Sequence, residues 1–266
     1  MTNQTVLWTV DPRGVATVTL NRPEVNNAYD EALIQGLHEA MDALGARKEV
    51  RVAVLRGAGR HFQAGADLKW IARVAAQSPH ENERASRATA LAVHRLNTLP
   101  VPTVALVQGG CFGGGTGIVA ACDVVIAAED AMFSIAETRW GLMAGIILPQ
   151  LADAIGVRQV RRYALSGERF GAPEARRIGL VHEVVPPAEL QAAGEKLVAQ
   201  LLQNAPQANA QTKAVALEFA WGDVEPPVLD RLIAQHAAKR RSAEAVEGLA
   251  SFREKRAARW SDGEPR

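Results

Sequence analysis

The sequence predicts an α/β fold. Short apolar runs rich in β-branched residues, such as VRVAVLRG (50–57) and PTVALVQG (102–109), alternate with longer segments of helical periodicity. The run DVVIAA (123–128) directly follows a glycine-rich helical segment. Strands that alternate with helices are joined by crossovers and form mainly parallel sheets. After about residue 185 the strand pattern stops.

The first elements can be assigned in chain order. TVLWTV and VATVTL flank DPRG, in which Pro12 and Gly14 suit a tight turn, so the chain is expected to open with a hairpin. Asp30 is expected to cap a helix with apolar residues on one stripe. Further helices are predicted near 66–76 and 81–98, between the apolar strands. The tail predicts four more helices, over 187–207, 208–221, 226–240 and 242–260.

Composition narrows the class of protein. The 266 residues are 48% hydrophobic, which suits a large core. With 30 basic and 29 acidic residues, the chain has no large net positive charge that would attract nucleic acid or an anionic membrane. Prolines and glycines interrupt the uncharged run 96–122, so no membrane span is expected. Cys111 and Cys122 lack the spacing of a metal or disulfide site. No signal-peptide pattern opens the chain, and a cytoplasmic location is expected.

The stretch QGGCFGGGTGIVAACD (108–123) concentrates six glycines at the start of a helical pattern. It lacks the Lys-Ser/Thr pair of a P-loop, and no frame gives the dinucleotide fingerprint. A second loop, RGAGRHFQAGADLKW (56–70), also leaves an apolar strand and places Gly65 before a helix expected to start at Ala66 and Asp67. Two helix starts with free N–H groups can hold one oxygen. That arrangement suits a carbonyl that becomes an enolate.

Several linked motifs resemble those of one family. HFQAGADL (61–68), VQGGCFGGGTG (107–117) and CDVVIAAEDAMFSIAETRWGL (122–142) resemble the central motifs of the crotonase superfamily, the enoyl-CoA hydratases and isomerases. The resemblance implies a crotonase-like spiral of ββα repeats over residues 1–190 with an acyl-CoA site. It also implies a C-terminal helical trimerisation region over 191–266, and a homotrimer or dimer of trimers. Coenzyme A is then part of the substrate, with no separate cofactor and no metal.

The resemblance also assigns roles to residues. The N–H groups of Ala66 and Gly114 would hold the thioester oxygen, and Glu137 would be the catalytic acid/base. Five further residues match positions near coenzyme A, the last two reaching the nucleotide end from a neighbouring subunit: Arg22, Ala64, Lys69, Phe252 and Lys255.

Two departures from the hydratase pattern bear on the reaction. Hydratases of the best-known pattern carry two glutamates, and here the position of the first is Gly117. Water addition needs a base and a proton source, whereas moving a double bond between positions 3 and 2 needs one carboxylate. The segment TRWGLMAGIILPQL (138–151) resembles hydratases of methylglutaconyl-CoA and isohexenylglutaconyl-CoA. The expected substrate pocket therefore includes Gly117, Arg139, Trp140, Met143 and Ile146.

These observations leave three functions open. The first is an enoyl-CoA hydratase for a branched or carboxylated 2-enoyl-CoA, in which Arg139 binds a substrate carboxylate. The second is a Δ3,Δ2-enoyl-CoA isomerase that uses Glu137 alone. The third is a noncatalytic acyl-CoA-binding or scaffold protein, which the presence of Glu137 and both oxyanion positions disfavours.

Overall fold

The computed structural model describes residues 5–204, 206–221 and 226–256. The strands in these ranges are β1 (Val6–Val10), β2 (Val15–Leu20), β3 (Val52–Gly57), β4 (Thr103–Val107), β5 (Gly110–Phe112), β6 (Val124–Ala128), β7 (Met132–Ser134), β8 (Phe170–Gly171) and β9 (Glu183–Val185). The α-helices are α1 (Glu31–Gly45), α2 (Leu68–Ala75), α3 (Pro79–Asn97), α4 (Gly114–Ala120), α5 (Leu148–Ser166), α6 (Ala172–Ile178), α7 (Leu190–Leu202), α8 (Pro206–Trp221), α9 (Pro226–Arg240) and α10 (Ala243–Arg253).

A six-stranded sheet in the order β1-β2-β3-β4-β6-β9 carries the fold. The β1–β2 pair is antiparallel and every other pair is parallel, which confirms the predicted hairpin and the α/β class. Asp11 stabilises the hairpin turn, because its side chain accepts hydrogen bonds from the N–H groups of Arg13 at 2.8 Å and Val15 at 3.0 Å. Gly14 takes φ +82° in this turn, a conformation that favours glycine.

A second, smaller sheet has the order β5-β7-β8 and was not expected from the sequence. Its strands are two or three residues long, too short for an alternating pattern to be recognised. Two isolated bridges extend the same arrangement, joining Gln63 to Cys111 and Tyr29 to Ala66. The glycine-rich stretch therefore contains a strand as well as a helix start.

The two sheets are built by four successive ββα turns. Each turn gives one strand to the large sheet, then a short extended segment, and then a helix. The turns are β2, Tyr29 and α1; β3, residues 63–66 and α2; β4, β5 and α4; and β6, β7 and a 3-10 helix, Glu137–Trp140, that leads into α5. The spiral of repeated ββα units is confirmed.

Side-chain caps fix where the helices of the first turns begin. Asp30 accepts from the N–H of Leu33 at 3.0 Å and caps α1 as predicted. The α2 helix begins at Leu68, two residues later than expected, because Ala66 pairs with Tyr29 and Asp67 is the cap. The apolar stripe predicted for α1 is buried: Leu33, Leu37, Met41 and Leu44.

The C-terminal helices all pack on the rest of the chain. Val198 of α7 is buried against the large sheet, α9 packs along α3, and α10 packs on the 3-10 helix. Lys213 of α8 donates to Asp123 Oδ2 at 2.8 Å. In the described ranges, no helix combines the length and the apolar character needed to cross a membrane. The division of the chain at residue 190 stays a prediction.

Candidate active site

A cleft of about 610 Å³ is lined by many residues, and these include one at the equivalent position of each ββα turn. These residues are Tyr29, Ala66, Gly114 and Glu137, and each lies within one residue of the cap that starts the helix of its turn. The repeat therefore brings four equivalent chain positions to one place. Three of them are the residues expected to be catalytic.

Two main-chain donors at this cleft have no partner within the protein. In the described ranges, the N–H groups of Ala66 and Gly114 donate to no protein acceptor. Their neighbours are satisfied, because Asp67 N–H donates to Tyr29 O at 2.9 Å and Gly113 N–H donates to Ser134 O at 2.8 Å. Gly114 is buried and Ala66 is half-buried, and N–H groups at a helix start have no intrahelical acceptor, so these two are available for a ligand oxygen.

Gln63 fixes the first of these donors and was not singled out from the sequence. Its buried carboxamide accepts from Gly65 N–H at 2.8 Å and donates to Gly65 O at 3.1 Å. Its main-chain N–H donates to Gly110 O at 3.1 Å, and its carbonyl accepts from Phe112 N–H at 2.9 Å. Gln63 thereby ties the two loops together just before each helix starts.

Asn27 and Arg22 hold the loop in front of the cleft. The Asn27 amide is buried, donates to the carbonyl of Ala58 at 2.8 Å and accepts from Arg22 N–H at 2.8 Å. The Arg22 guanidinium lies 3.1 Å from Asp30 and 3.8 Å from Asp67, the caps of α1 and α2. Arg22 was expected near the phosphates of coenzyme A, but the structure places it in these ion pairs and not among the cleft-lining residues.

The Glu137 carboxylate sits close to the glycine loop. Its Oε1 lies 3.1 Å from the position that a Cβ on Gly113 would take, and its Oε2 is buried without a hydrogen-bond partner. Burial raises the pKa of Glu137 to about 7. A carboxyl group with this pKa can both accept and return a proton near neutral pH.

Tyr29 faces the next residue of the same loop. Its Oη lies 3.3 Å from the position that a Cβ on Gly114 would take, and in the described ranges the hydroxyl makes no hydrogen bond to the protein. Burial raises the pKa of Tyr29, and the charge of Glu137 raises it further. Tyr29 therefore stays a neutral phenol that can donate a hydrogen bond in the cleft.

Ile147 fills the space beside Gly117. A Cβ on Gly117 would lie 2.3 Å from Ile147 Cγ2, so no side chain fits at residue 117 without displacement of Ile147. A smaller pocket, here called the inner pocket, adjoins the cleft at Tyr29, Gly114 and Glu137. Gly117 was expected to line the substrate pocket, but neither Gly117 nor Met143 is among the residues that line the cleft or the inner pocket. Ile146 and Ile147 do line that inner pocket, which encloses about 20 Å³, room for one water-sized or methyl-sized group.

The remaining predicted residues divide between the cleft and its surroundings. Ala64, Lys69 and Phe252 line the cleft, as do Arg139 and Trp140, whereas Lys255 does not. The Trp140 and Phe252 rings meet edge to face with their centroids 5.2 Å apart, so α10 closes one side of the cleft. Arg139 packs on the turn at Gly167, where its Nε lies 2.8 Å from the position of a glycine Cβ.

The α9 helix adds two cleft residues that the sequence did not indicate, His236 and Arg240. His236 Nδ1 lies 3.1 Å from Ser86 Oγ and 3.1 Å from Arg240 Nη2. Because a guanidinium only donates, Nδ1 accepts and we assign the imidazole proton to Nε2. Burial lowers the pKa of His236 to about 3, so the ring is neutral.

The described residues include no group of three or more His, Cys, Asp or Glu side chains that could hold a metal ion. Cys111 and Cys122 are buried and unbridged, and burial raises the pKa of Cys122 to about 12. The ionisable side chains that line the cleft include Glu137, Tyr29, His236 and Arg240.

A model of the family "enoyl-CoA hydratase/isomerase" matches residues 11–263. The chain belongs to this family. It is 34% identical over 251 residues to a putative enoyl-CoA hydratase of Thermus thermophilus, covering 94% of this chain and 99% of that one. It is 31% identical over 256 residues to the mitochondrial Delta(3,5)-Delta(2,4)-dienoyl-CoA isomerase of Dictyostelium discoideum, covering 92% and 87%.

A solved enoyl-CoA hydratase from Mycobacterium avium subsp. paratuberculosis has the same fold, with a TM-score of 0.84 at 33% identity and coverage of 97% and 99% of the two chains. The protein is therefore an enzyme of the enoyl-CoA hydratase/isomerase family with the crotonase fold. The family includes both hydratases and isomerases, so the family alone does not choose between the two reactions.

Proposed function

We propose that the protein hydrates a branched or carboxylated 2-enoyl-CoA of the glutaconyl type through a thioester enolate. The observation that carries this proposal is the carboxyl group of Glu137, with a pKa of about 7, in one cleft with the unpaired N–H groups of Ala66 and Gly114. A base and an oxyanion hole are the two parts that enolate chemistry needs.

The reaction can run on one carboxylate. Glu137 takes a proton from water as the oxygen attacks C3, and the π electrons move to the thioester oxygen, where the two N–H groups stabilise the enolate. The protonated Glu137 then returns that proton to C2, and the carbonyl re-forms. Water has been added across the double bond, and the carboxylate is regenerated.

Tyr29 is the group that we propose to hold the water. Its hydroxyl lies beside Gly114 and has no hydrogen-bond partner among the described residues, while Glu137 lies beside Gly113. Since neighbouring Cα atoms are about 3.8 Å apart, the phenol and the carboxylate flank the same short piece of chain. Orientation of the nucleophile is worth several orders of magnitude in rate, which a second carboxylate supplies in two-glutamate hydratases.

The inner pocket supports a short, branched acyl group. It adjoins Glu137 and Gly114, has mostly apolar walls, and leaves space for a single methyl-sized group. A long straight chain finds no room in that direction. A methyl branch near C3 fits, and the rest of the acyl group then extends along the wider cleft.

The isomerase remains the second candidate, because Ile147 occupies the space where a second carboxylate would stand. With Glu137 alone, a proton can be taken from C2 of a 3-enoyl-CoA and returned at C4. Both reactions share the enolate. They differ in whether oxygen from water enters the product.

The enolate step is tested by proton exchange at C2 of a saturated acyl-CoA in heavy water. The wild type should exchange this proton, and Glu137→Gln should not, because the amide keeps the shape but cannot accept a proton. Equal exchange by both proteins would move the base to another residue. No exchange by the wild type would favour the noncatalytic alternative.

We also propose that the protein works as a trimer, or a dimer of trimers, in the cytoplasm. Two apolar side chains of α5 are largely exposed in the single chain, Val157 at 64% and Leu165 at 73%. Phe252, at the mouth of the cleft, is 48% exposed. In the proposed trimer a neighbouring subunit covers these side chains.

A further inference from the structure

Arg240 is a charged side chain in the interior, only 1% exposed, at the wall of the cleft. Its Nη2 donates to Ser86 Oγ and to His236 Nδ1, and both of these partners are neutral. Its Nε and Nη1 are buried and have no hydrogen-bond partner among the residues that the structure describes. No carboxylate in the described part of the chain lies within ion-pair distance of this guanidinium.

The surroundings keep the guanidinium in place and dry. Its carbon lies 5.7 Å from the centre of the Trp70 ring, a cation–π contact. Burial lowers the pKa of Arg240 to about 10, so the group still carries its charge at neutral pH. Arg240 lines the same cleft as Tyr29 and Glu137, so the guanidinium belongs to the wall around the reacting groups.

A buried charge with two empty donors is costly unless an anion completes it. An arginine that served only the fold would be expected to pair with a carboxylate of the chain, as Arg22 does with Asp30. At Arg240 no such anion lies in the described part of the chain, while the side chain lines the substrate cleft. The missing partner is therefore expected to arrive with the ligand.

We propose that Arg240 binds a free carboxylate at the far end of the acyl group, so that the preferred ligands are CoA thioesters of short dicarboxylic acids. This inference rests on the proposed acyl-CoA function and names its substrate class. It assigns the carboxylate to Arg240 instead of Arg139, the residue expected from the sequence. Arg139 packs against the turn at Gly167 and has contacts within the protein.

The test uses two saturated thioesters that cannot be hydrated, glutaryl-CoA and butyryl-CoA, with binding measured by calorimetry. The wild type should bind glutaryl-CoA at least about tenfold more tightly, because hydrogen bonds to charged groups are the strong ones. Arg240→Met should abolish this preference and leave butyryl-CoA binding within about threefold. Arg231→Met, an exposed arginine on the same helix, should keep the preference.

Thermal unfolding separates binding from folding. Ligand-free Arg240→Met should melt at or above the wild-type temperature, because an uncompensated buried charge has been removed. Glutaryl-CoA should raise the melting temperature of the wild type more than butyryl-CoA does, and should lose this advantage in the variant. If Arg240→Met does not fold, Arg240→Lys keeps the charge but not the guanidinium geometry, and should reduce the preference.

Equal binding of the two thioesters by the wild type would overturn the inference. A selective loss in Arg139→Met, with Arg240→Met unchanged, would overturn it as well. Because neither ligand reacts, these results do not depend on turnover. A protein that prefers glutaryl-CoA but hydrates no enoyl-CoA would contradict the proposed hydratase and leave the carboxylate site standing.

Discussion

Replacing Glu137 with glutamine should make the protein more stable at high pH and much less active at every pH. The folded-state pKa of Glu137 is about 7, against an ordinary value of 4.5. Between these two pH values the folded protein keeps a proton that the unfolded chain has released, so stability falls as the pH rises through this window. Each pKa unit corresponds to about 1.4 kcal/mol, so the carboxylate costs about 3 kcal/mol of folding free energy above pH 7.

Urea unfolding at one protein concentration, at pH 4.5 and pH 8, measures this cost. Glu137→Gln should match the wild type within about 0.5 kcal/mol at pH 4.5 and exceed it by about 3 kcal/mol at pH 8. Glu129→Gln, which replaces an exposed carboxylate just after β6, should show no such divergence. Parallel curves for Glu137→Gln and the wild type would refute the argument that Glu137 is a desolvated base.

The same substitution should act on turnover and not on binding. We expect a fall in kcat of about 10²-fold to 10⁴-fold, the usual contribution of a general base, with thioester affinity within a few-fold. In the wild type, kcat/KM should rise with pH to a plateau above about pH 7, because the base must be ionised. A flat profile across this range would assign the proton transfer elsewhere.

Three further predictions concern the water, the glycine at residue 117 and the subunit contact. Tyr29→Phe should lower hydration by about 10-fold or more while C2 exchange stays within a few-fold; equal losses in both assays would remove Tyr29 from water binding. Gly117→Glu alone should destabilise the protein, because its Cβ would meet Ile147 Cγ2 at 2.3 Å. Crotonyl-CoA hydration should rise only in the double variant with Ile147→Ala, which makes space for the new side chain. A gain of hydration by the single variant would contradict the packing argument. Lys255→Ala should raise KM more than it lowers kcat, and light scattering should give a trimer or a multiple of it; a fully active monomer would exclude the shared site.

Most strands of the large sheet and many of the helices could be predicted because their signals are local, whereas α5, α6 and β9 were not predicted. The four residues VAVL that open β3 and the four residues VALV that end β4 are buried apolar runs that contain β-branched residues, as expected where both faces of a strand are covered. The second sheet could not, since β5 has only three residues inside a glycine-rich stretch. Its strands form because the ββα spiral brings them side by side. That arrangement depends on the whole chain and not on the sequence of any one strand.

The site residues also divide into those with a local sequence signal and those without one. Ala66, Gly114 and Glu137 could be assigned from motifs, because each motif is a continuous piece of sequence around a helix start. The cluster of Ser86 and Arg240 could not, since its members lie 154 residues apart and meet only when α9 packs on α3. No spacing rule relates residues so distant in the chain.

The glycines of the stretch 108–123 permit close approach, and two of them have parts of the protein as close neighbours. A Cβ on Gly114 would lie 2.5 Å from the Tyr29 ring, and one on Gly117 would meet Ile147. Arg22, a basic residue in a motif, was assigned to the coenzyme A phosphates, and that assignment stays a prediction. In the structure Arg22 links two helix caps.

The most direct test of the central claim is a panel of straight, branched and carboxylated 2-enoyl-CoA and 3-enoyl-CoA thioesters, with products analysed by mass for the gain of water. We predict that a branched or carboxylated glutaconyl-CoA gains water fastest and crotonyl-CoA slowly, because remote contacts orient the substrate where a second carboxylate is missing. Rapid conversion of 3-enoyl-CoA to 2-enoyl-CoA, with no gain of water on any member of the panel, would contradict the hydratase assignment.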